Sequence, residues 1–381
     1  MTRIYLIRHC EAEGNVYRRA QGRYDGMPSA KGLLQVAALA ERFRDEKLDA
    51  LYSSDLTRAR RTAEAITKYH DLPLHPEPRL REWGLGAWED VPFGNLGYAY
   101  PEMLYNFNNN PAAWHTEGGE DFSHLQARFR AAIADVVAAH AGGTAVCVSH
   151  GMAIRAYLAD ILGVPSEEIR RVPHGDNTAV SLVEVEPGGE TRVVFSNDVS
   201  HLTGPLSTLA RQSWWQDPHA VDPNNVRFQR LDPRKHPQSY LSFYEKTWLA
   251  VHGRPDGFQP SLYLDAAVRH VKADPDALVT ILRPDGEVVG ITELDTERGR
   301  DRGMGWICLC CVEEQWRRRL LGVQLIGHAV SVFRRLGRRA VQLNVFEKNV
   351  GAIRFYEACG FRPAGETQGV HGTLLIMEKA L

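Results

Sequence analysis

The sequence carries almost no net charge: 45 Lys and Arg stand against 47 Asp and Glu, a formal −2. That balance gives no basis for a nucleic-acid or membrane surface. No apolar run is long enough to span a bilayer. The N-terminus lacks a signal-peptide layout, and Ile4 to Ile7 reads instead as a core strand that begins almost at once. Of the six cysteines only Cys308 and Cys311 stand at Cys-x-x-Cys spacing. Cys308, Cys310 and Cys311 cluster, but on an expected strand whose side chains alternate faces. No His or Cys pair nearby completes a site, so no metal is expected. Reduced thiols in a cytoplasmic protein fit best. Internal repeats and low-complexity tracts are also missing.

What is present is ordinary globular chain, 44% apolar and 24% charged. At 381 residues it is too long for one core, so two domains are expected. The first part alternates strand and helix signals. Arg3–Ile7, Ala50–Ser53, Ala145–Ser149, Ala179–Val185 and Arg192–Phe195 read as strands. Lys31–Glu46, Leu56–Tyr69, Phe122–His140 and Gly151–Leu162 read as helices. This rhythm predicts a three-layer α/β domain, a mainly parallel sheet covered on both faces.

Composition changes near Thr203. Residues 203–225 hold three prolines and the Trp214-Trp215 pair with little periodicity, and read as a linker. The second part starts over, with strands at Val226–Leu231, Leu278–Arg283, Val288–Asp295, Trp306–Val312, Ala340–Val345 and Thr373–Glu378. Its helices fall at Gln238–Val251, Leu262–Ala273, Leu321–Leu336 and Ala352–Cys359. A hairpin turns at Pro284-Asp285-Gly286. The expected domains are 1–203 and 225–381, joined by 204–224.

Two histidines end apolar runs, His9 in Leu-Ile-Arg-His-Cys and His150 in Val-Ser-His-Gly. A histidine at the carboxyl end of a buried parallel strand points into the crevice where such sheets bind ligands. Arg8 beside His9 brings a fixed positive fork suited to phosphate. Arg58 opens a helix, Glu82 lies in Leu-Arg-Glu-Trp-Gly, and Asn15 and Gln21-Gly22 follow the first strand. Phosphoryl transfer needs a nucleophile, positive charge on the equatorial oxygens and a proton for the leaving oxygen. A neutral imidazole can attack phosphorus. Two arginines and a second, protonated imidazole can hold the oxygens. A carboxylic acid can protonate the leaving alkoxide and then activate water. That inventory is complete without a metal.

At these residues the chain resembles the histidine phosphatase superfamily, in its phosphoglycerate-mutase-like branch. The resemblance rests on Arg8-His9, Asn15, the Ser-Asp-Leu-x-Arg-Ala run, Glu82 with Gly86 and Trp88-Glu89, Gly118-Gly119-Glu120, Ser149-His150-Gly151, and Asn197-Asp198 with His201-Leu202. It implies that His9 is phosphorylated, that Arg8, Arg58 and His150 bind phosphate with Asn15, and that Glu82 donates the proton. Gln21, Gly22 and Gly151 are assigned to the substrate. Departures are mild: Cys10 replaces a glycine, Asp90 follows Trp88-Glu89, and Met27-Pro28-Ser29 replaces Pro-Leu-Thr. Cys10 reads as a small buried side chain rather than a reactive thiol. Glu89 is either a supporting group or surface, and His140, His174 and His201 are taken as structural. Compactness favours a phosphatase over a mutase. The segment Val91–Glu117 is expected to roof the pocket, with Asn108–Asn110 as a possible exposed turn.

The second part joins a strand to a helix through Val312-Glu313-Glu314-Gln315-Trp316-Arg317-Arg318-Arg319-Leu320-Leu321-Gly322. A helix N-terminus attracts anions, and arginines there oppose the dipole unless an anion arrives. With Asn349, Ala352-Ile353, Phe355-Tyr356 and Gly360-Phe361 following, this part resembles the GNAT N-acetyltransferase family, a mixed α/β fold. The resemblance implies acetyl-CoA as co-substrate. Cys311 and Val312 would hold its pantetheine arm. Backbone N–H groups of Arg317, Arg318, Arg319, Leu320, Leu321 and Gly322 would hold its pyrophosphate. Asn349 would contact the arm, and Tyr356 would protonate the departing thiolate. Leu320 replaces a family glycine, and its N–H serves if its dihedrals are ordinary helical ones. Glu293, Asp295 and Glu313 remain equal candidates for a base.

The whole reading is a bifunctional enzyme acting on a small-molecule phosphoester and a small-molecule amine, with no nucleic-acid or membrane partner and a homo-oligomer left open. The alternative is a phosphatase or mutase whose GNAT-like part binds acetyl-CoA without turnover, motivated by Leu320.

Overall fold

The computed structural model describes residues 1–212 and 222–381, which fall into two compact units, Met1–Asp222 and Pro223–Leu381. Trp214 and Trp215 lie outside the described residues.

The first unit runs β1 (Thr2–Arg8), α1 (Glu13–Tyr17), α2 (Ala30–Phe43), β2 (Ala50–Ser53), α3 (Thr57–Ile66), β3 (Leu74–Pro76), α4 (Phe93–Ala99), α5 (Pro101–Asn109), α6 (Phe122–Ala139), β4 (Thr144–Ser149), α7 (Gly151–Ile161), β5 (Val180–Val185) and β6 (Thr191–Asp198). The sheet order is β3-β2-β4-β1-β5-β6. Its first four strands are mutually parallel, while β5 and β6 run antiparallel to their neighbours. Side chains alternate along β1, and that alternation builds the three layers. Ile4 and Leu6 pack with Phe129 and Ile133 of α6 and Tyr157 of α7. Tyr5 and Ile7 face the other way, onto Leu39 and Phe43 of α2 and Ala59 and Ile66 of α3. Both faces of β1 are therefore apolar, as a buried parallel strand requires.

The roof segment contains α4 and α5, which the sequence pattern did not reveal. Trp83, Trp88, Phe107 and Trp114 hold it down, with Trp83 and Trp114 centroids 4.4 Å apart and Trp83 stacked on Phe107 at 5.3 Å. Asn108 and Asn109 belong to the end of α5, and Asn109 is buried, so the expected exposed turn is corrected there. Beyond β6, Gly204–Leu206 and Leu209–Arg211 form short 3-10 turns. They pack on this unit: Gln35 donates to the Leu206 carbonyl at 2.7 Å, and Asp222 pairs with Arg18 at 3.0 Å.

The second unit runs β7 (Arg227–Arg230), α8 (Pro237–His252), α9 (Pro260–Ala273), β8 (Leu278–Leu282), β9 (Val288–Asp295), β10 (Met304–Val312), α10 (Leu321–Arg335), β11 (Ala340–Phe346), α11 (Val350–Ala358), β12 (Arg362–Gly369) and β13 (Gly372–Ala380). The order is β12-β13-β11-β10-β9-β8-β7, with β10 and β11 its parallel pair. α8 and α9 cover Leu278, Ile291 and Leu309 on one face; α10 covers Ile281 and Val289 on the other. β12 escaped the sequence reading because Pro363 and Gly365 interrupt it and its side chains are largely exposed. An edge strand tolerates both. No helix among the described residues is long and apolar enough to cross a membrane.

Candidate active sites

β1 and β4 are parallel neighbours, with Arg8 opposite Ser149. His9 and His150 each follow the last residue of their strand, so their rings meet at one end of the sheet, centroids 5.1 Å apart. The His9 N–H donates to the Ser149 carbonyl at 2.8 Å, which fixes that spacing. His9 Nδ1 lies 2.7 Å from the Cys10 carbonyl oxygen. A carbonyl can only accept, so Nδ1 carries the proton and neutral His9 keeps its lone pair on Nε2.

Two guanidinium groups accompany the rings. Arg58 is fully buried and donates to the carbonyls of Tyr24 at 2.6 Å and Gly22 at 2.7 Å. Arg8 donates to the Gly175 carbonyl at 2.6 Å. Nε of each arginine, both ring nitrogens of His150 and the Gln21 amide are buried without a protein partner. Such orphaned groups are rare in folded proteins and each costs about 1–3 kcal/mol. A cluster of unmatched donors beside two positive charges is what an anion site requires.

Burial, reinforced by Arg58 and Arg8, holds His9 well below its ordinary pKa; burial with Arg58 and His9 does the same to His150. In the protein alone both imidazoles are therefore held toward the neutral form. Burial also pushes Arg58 down to about 10. Buried Cys10 donates its N–H to Thr62 Oγ1 and its thiol is pushed up to about 11 by burial, so it is an inert neighbour.

The Glu82 carboxylate accepts three backbone N–H groups: Trp83 and Ala153 on Oε1 at 2.9 Å each, and Met152 on Oε2 at 3.0 Å. Met152 and Ala153 belong to the first turn of α7, so Glu82 sits on a helix N-terminus beside His150. At Gly151, the first residue of that helix, a Cβ would stand 3.1 Å from Arg8 Nε and crowd the guanidinium. Gly22 is needed because a Cβ would meet the Trp83 carbonyl at 2.3 Å. Asn15 accepts the Ala12 N–H at 3.0 Å, which leaves its amide nitrogen for a ligand.

Several supporting residues went unassigned in sequence. Glu89 gathers the N–H groups of Gly22, Arg23, Tyr24 and Leu85, and so shapes the loop whose carbonyls hold Arg58. Arg128 donates to the carbonyls of Arg79, Arg81 and Glu82. Asn177 donates to the His9 carbonyl at 2.9 Å. The position of residues 176–178 just before β5, the neighbour of β1, was the available signal. His140, His174 and His201 bond to Tyr52, Arg155 and Thr178.

Two buried imidazoles and the half-buried His174, all held neutral, make stability depend on pH. Burial lowers His174 as well as His9 and His150, in each case well below the ordinary 6.5. Below that value the unfolded chain binds protons that the folded protein refuses. Stability should hold above pH 6.5 and fall with acidification, by up to about 1.4 kcal/mol per pH unit for each histidine. Urea midpoints measured from neutral pH down to about 5 check this; a midpoint that rises with acid contradicts it.

The second unit has a fork. β10 pairs with β11 only from Met304 to Ile307, against Ala340 to Leu343. Beyond, each strand keeps its outer neighbour while the two part, and Cys311 and Val312 lie on the open arm. A bulge between Ile307 and Leu309 falls at the same level. Beside it Glu293 is buried, with Oε2 accepting from Tyr240 at 2.8 Å and Oε1 2.8 Å from His270 Nδ1. His270 Nε2 reaches Asp295 at 3.3 Å. His270, Glu293 and Cys308 bring their ligand-type atoms within 4.8 Å of one another, but both histidine nitrogens and both carboxylate oxygens already have protein partners. Of the three candidate bases, Glu313 instead pairs with the exposed Lys246, and Asp295 caps a turn.

Arg318 and Leu320 both have left-handed backbones, φ 61° and 60°. Leu320 is the N-cap of α10 and does not have ordinary helical dihedrals, a correction to the condition set from sequence. It adopts the glycine conformation at a cost of about 1–2 kcal/mol. The first turn has no side-chain cap. Arg317 donates to the Val312 carbonyl at 3.1 Å, while Arg319 lies over Trp316. Gly322 faces Phe355 closely. Asn349 caps α11 through Oδ1 on the Ala352 N–H at 3.1 Å, a bond that does not use its amide nitrogen. Tyr356 lies beside Phe355 and Phe361. Burial, with the Cys310, Cys359 and Cys311 thiols nearby, raises its hydroxyl well above the ordinary pKa.

Comparison with known proteins assigns both parts. The histidine phosphatase superfamily (branch 1) model matches residues 4–198. The acetyltransferase (GNAT) family model matches 239–361. The probable phosphoglycerate mutase GpmB of Salmonella choleraesuis is 32% identical over 216 residues, which cover 55% of this chain and 100% of that protein. The protein of the same name from Yersinia pestis is 33% identical over 172 residues, 45% of this chain and 80% of its own. The structure of Bacillus stearothermophilus YhfR superposes with a TM-score of 0.51 at 32% identity, over 53% of this chain and 99% of its own. The chain belongs to the histidine phosphatase superfamily, branch 1, and carries a GNAT-family acetyltransferase domain in the same polypeptide.

Proposed function

We propose that the first unit hydrolyses phosphomonoesters through a phosphohistidine, and that the second transfers an acetyl group from acetyl-CoA to an amine. The observation that carries the first reading is the His9 Nδ1–H bond to the Cys10 carbonyl, which leaves Nε2 nucleophilic beside Arg8, Arg58 and His150. Nε2 attacks phosphorus and the P–O bond to the alcohol breaks. Glu82 supplies the proton the leaving oxygen needs. Water then attacks phosphorus and gives its proton to Glu82, the P–N bond breaks to free Nε2, and inorganic phosphate leaves. Arg8 and Arg58 carry the charge on the equatorial oxygens. The negative charge of a bound phosphate also favours the proton on His150 that burial and the nearby arginines disfavour.

A mutase is the second reading, motivated by the names of the Salmonella and Yersinia relatives. It must grip a second phosphate. The roof, Val91–Glu117, contains no lysine or arginine, which favours hydrolysis. Phosphate release from a phosphomonoester panel, set against interconversion of 2- and 3-phosphoglycerate, tests this; interconversion without release favours the mutase.

In the second unit the fork, the uncapped start of α10 and its two left-handed residues suit an extended thiol ester with a pyrophosphate. Acetyl-CoA would bring the activated acetyl group. Cys311 and Val312 line the arm, and the backbone from Arg317 to Gly322 holds the anion. Glu293, set by His270 and Tyr240 at the fork, takes the amine proton, and Tyr356 holds a proton for the thiolate. Leu320→Gly should tighten acetyl-CoA severalfold by calorimetry, because glycine lets phosphate approach the backbone closely. Unchanged affinity removes Leu320 from the anion site. Binding without thiol release across an amine panel favours the non-catalytic alternative.

A further inference from the structure

Thr208 lies beyond residue 198, where the family match ends, but within the first compact unit. It is buried, and it bonds to the loop that carries His9 and to the loop before β5. Its hydroxyl donates to Glu11 Oε2 at 3.0 Å and accepts from Gln35 at 3.1 Å. Its backbone N–H lies 3.1 and 3.2 Å from the two oxygens of Asp176. Ser207 Oγ, at 2.5 Å, and the Leu209 N–H, at 3.2 Å, complete the shell of Asp176.

Both carboxylates lead directly to the nucleophile. Glu11 stands two residues after His9 and is pinned by Lys31 at 2.6 Å and Ser29 at 2.7 Å, and its N–H is held by Gln35 at 2.7 Å. Asp176 accepts the Asn177 N–H at 2.7 Å, and Asn177 in turn donates to the His9 carbonyl. The next residue, Thr178, shares its N–H between the carbonyls of Arg8 and His9, at 3.1 and 3.3 Å. Asp176 also favours the charged form of Arg8. Segments 8–11, 176–178 and 206–209 therefore close into a ring around His9, and Thr208 is the residue that joins the other two.

We propose that Thr208 is a positioning residue for phosphoryl transfer, bridging Glu11 and Asp176 and so fixing His9 and Arg8 in register. This rests on His9 being the nucleophile. The hydroxyl touches no reacting atom, so its loss should act on geometry. Near-attack placement is sensitive to shifts well below an ångström, while ground-state binding is less so. The segment that follows β6 is then part of the phosphatase machinery rather than a spacer.

The test is Thr208→Val in the full chain, which keeps the shape and the backbone N–H but removes the hydroxyl. With 4-nitrophenyl phosphate, kcat and the rapid-quench rate of phosphoenzyme formation should fall about tenfold, with KM within about twofold of the unmodified protein. Thr208→Ser should restore both rates. If kcat per folded molecule is unchanged, with or without a lower melting temperature, the proposal is overturned. Should the valine variant fail to fold, Ser207→Ala removes one contact to Asp176 and should lower kcat in the same direction; no loss there overturns it equally. Absence of phosphohistidine at His9 in the unmodified protein would instead refute the nucleophile reading, whatever the variants do.

Discussion

His9→Ala should release no inorganic phosphate from 4-nitrophenyl phosphate, a loss of at least about 10⁴-fold in kcat. It should also form none of the acid-labile phosphoenzyme that the unmodified protein accumulates on rapid quenching. The size follows from the division of labour. Arg8, Arg58 and His150 can still hold the phosphate, so binding survives, but no other uncharged nitrogen beside them has the fixed tautomer of His9. His150 is neutral too, yet both of its ring nitrogens lack a protein partner, so no neighbour directs its lone pair. Phosphate or vanadate affinity should therefore change far less than kcat. The substitution removes a desolvated imidazole that folding had to bury uncharged, so the melting temperature should not collapse. Full activity in the alanine variant removes His9 from the chemistry; lost binding with a normal phosphoenzyme level moves it from nucleophile to clamp.

The first site was readable in sequence because its chemistry is attached to local signals. An apolar strand ending in Arg8-His9, another ending in Ser149-His150, and the start of the helix that carries Arg58 are each contiguous, and parallel pairing of β1 with β4 brings the ends together. What supports them was not readable. Glu11 meets Thr208 across 197 residues of chain, and Asn177 reaches His9 across 168. Polar residues in loops carry no period that would announce such partners. Glu293 illustrates the same limit in the second unit: only the packing of α8 and α9 on the sheet brings Tyr240 and His270 to it and separates it from Glu313. Leu320 shows another. The missing glycine was visible, but nothing in a leucine tells that the chain keeps the left-handed turn without it. The short helices of the roof were hidden for a third reason, since their aromatic side chains pack on Trp83 and Trp88 rather than along one regular stripe.

Glu82→Gln should slow hydrolysis of alkyl phosphates by about 10²–10⁴-fold, while 4-nitrophenyl phosphate slows less than about tenfold. An alkoxide is a poor leaving group and needs the proton in the transition state; nitrophenolate leaves with little help. The isosteric amide separates this role from a steric one, but it also has a structural consequence that can be calculated from the contacts. Oε1 of Glu82 accepts two N–H groups and Oε2 accepts the Met152 N–H. A glutamine oxygen can take over one side, but its amide nitrogen then faces an N–H it cannot accept. One buried donor is left unmatched, at about 1–3 kcal/mol. Melting temperature should fall for that reason, so rates must be compared per folded molecule, at temperatures where both proteins are intact. Stability loss from the amide is the same whichever ester is bound, whereas loss of the acid grows with the basicity of the leaving group. A steeper dependence of rate on leaving-group basicity in the variant therefore assigns Glu82 as the acid. Equal slowing of every ester would leave it the architectural role its three backbone contacts already give it, and would place the proton donor elsewhere in the pocket.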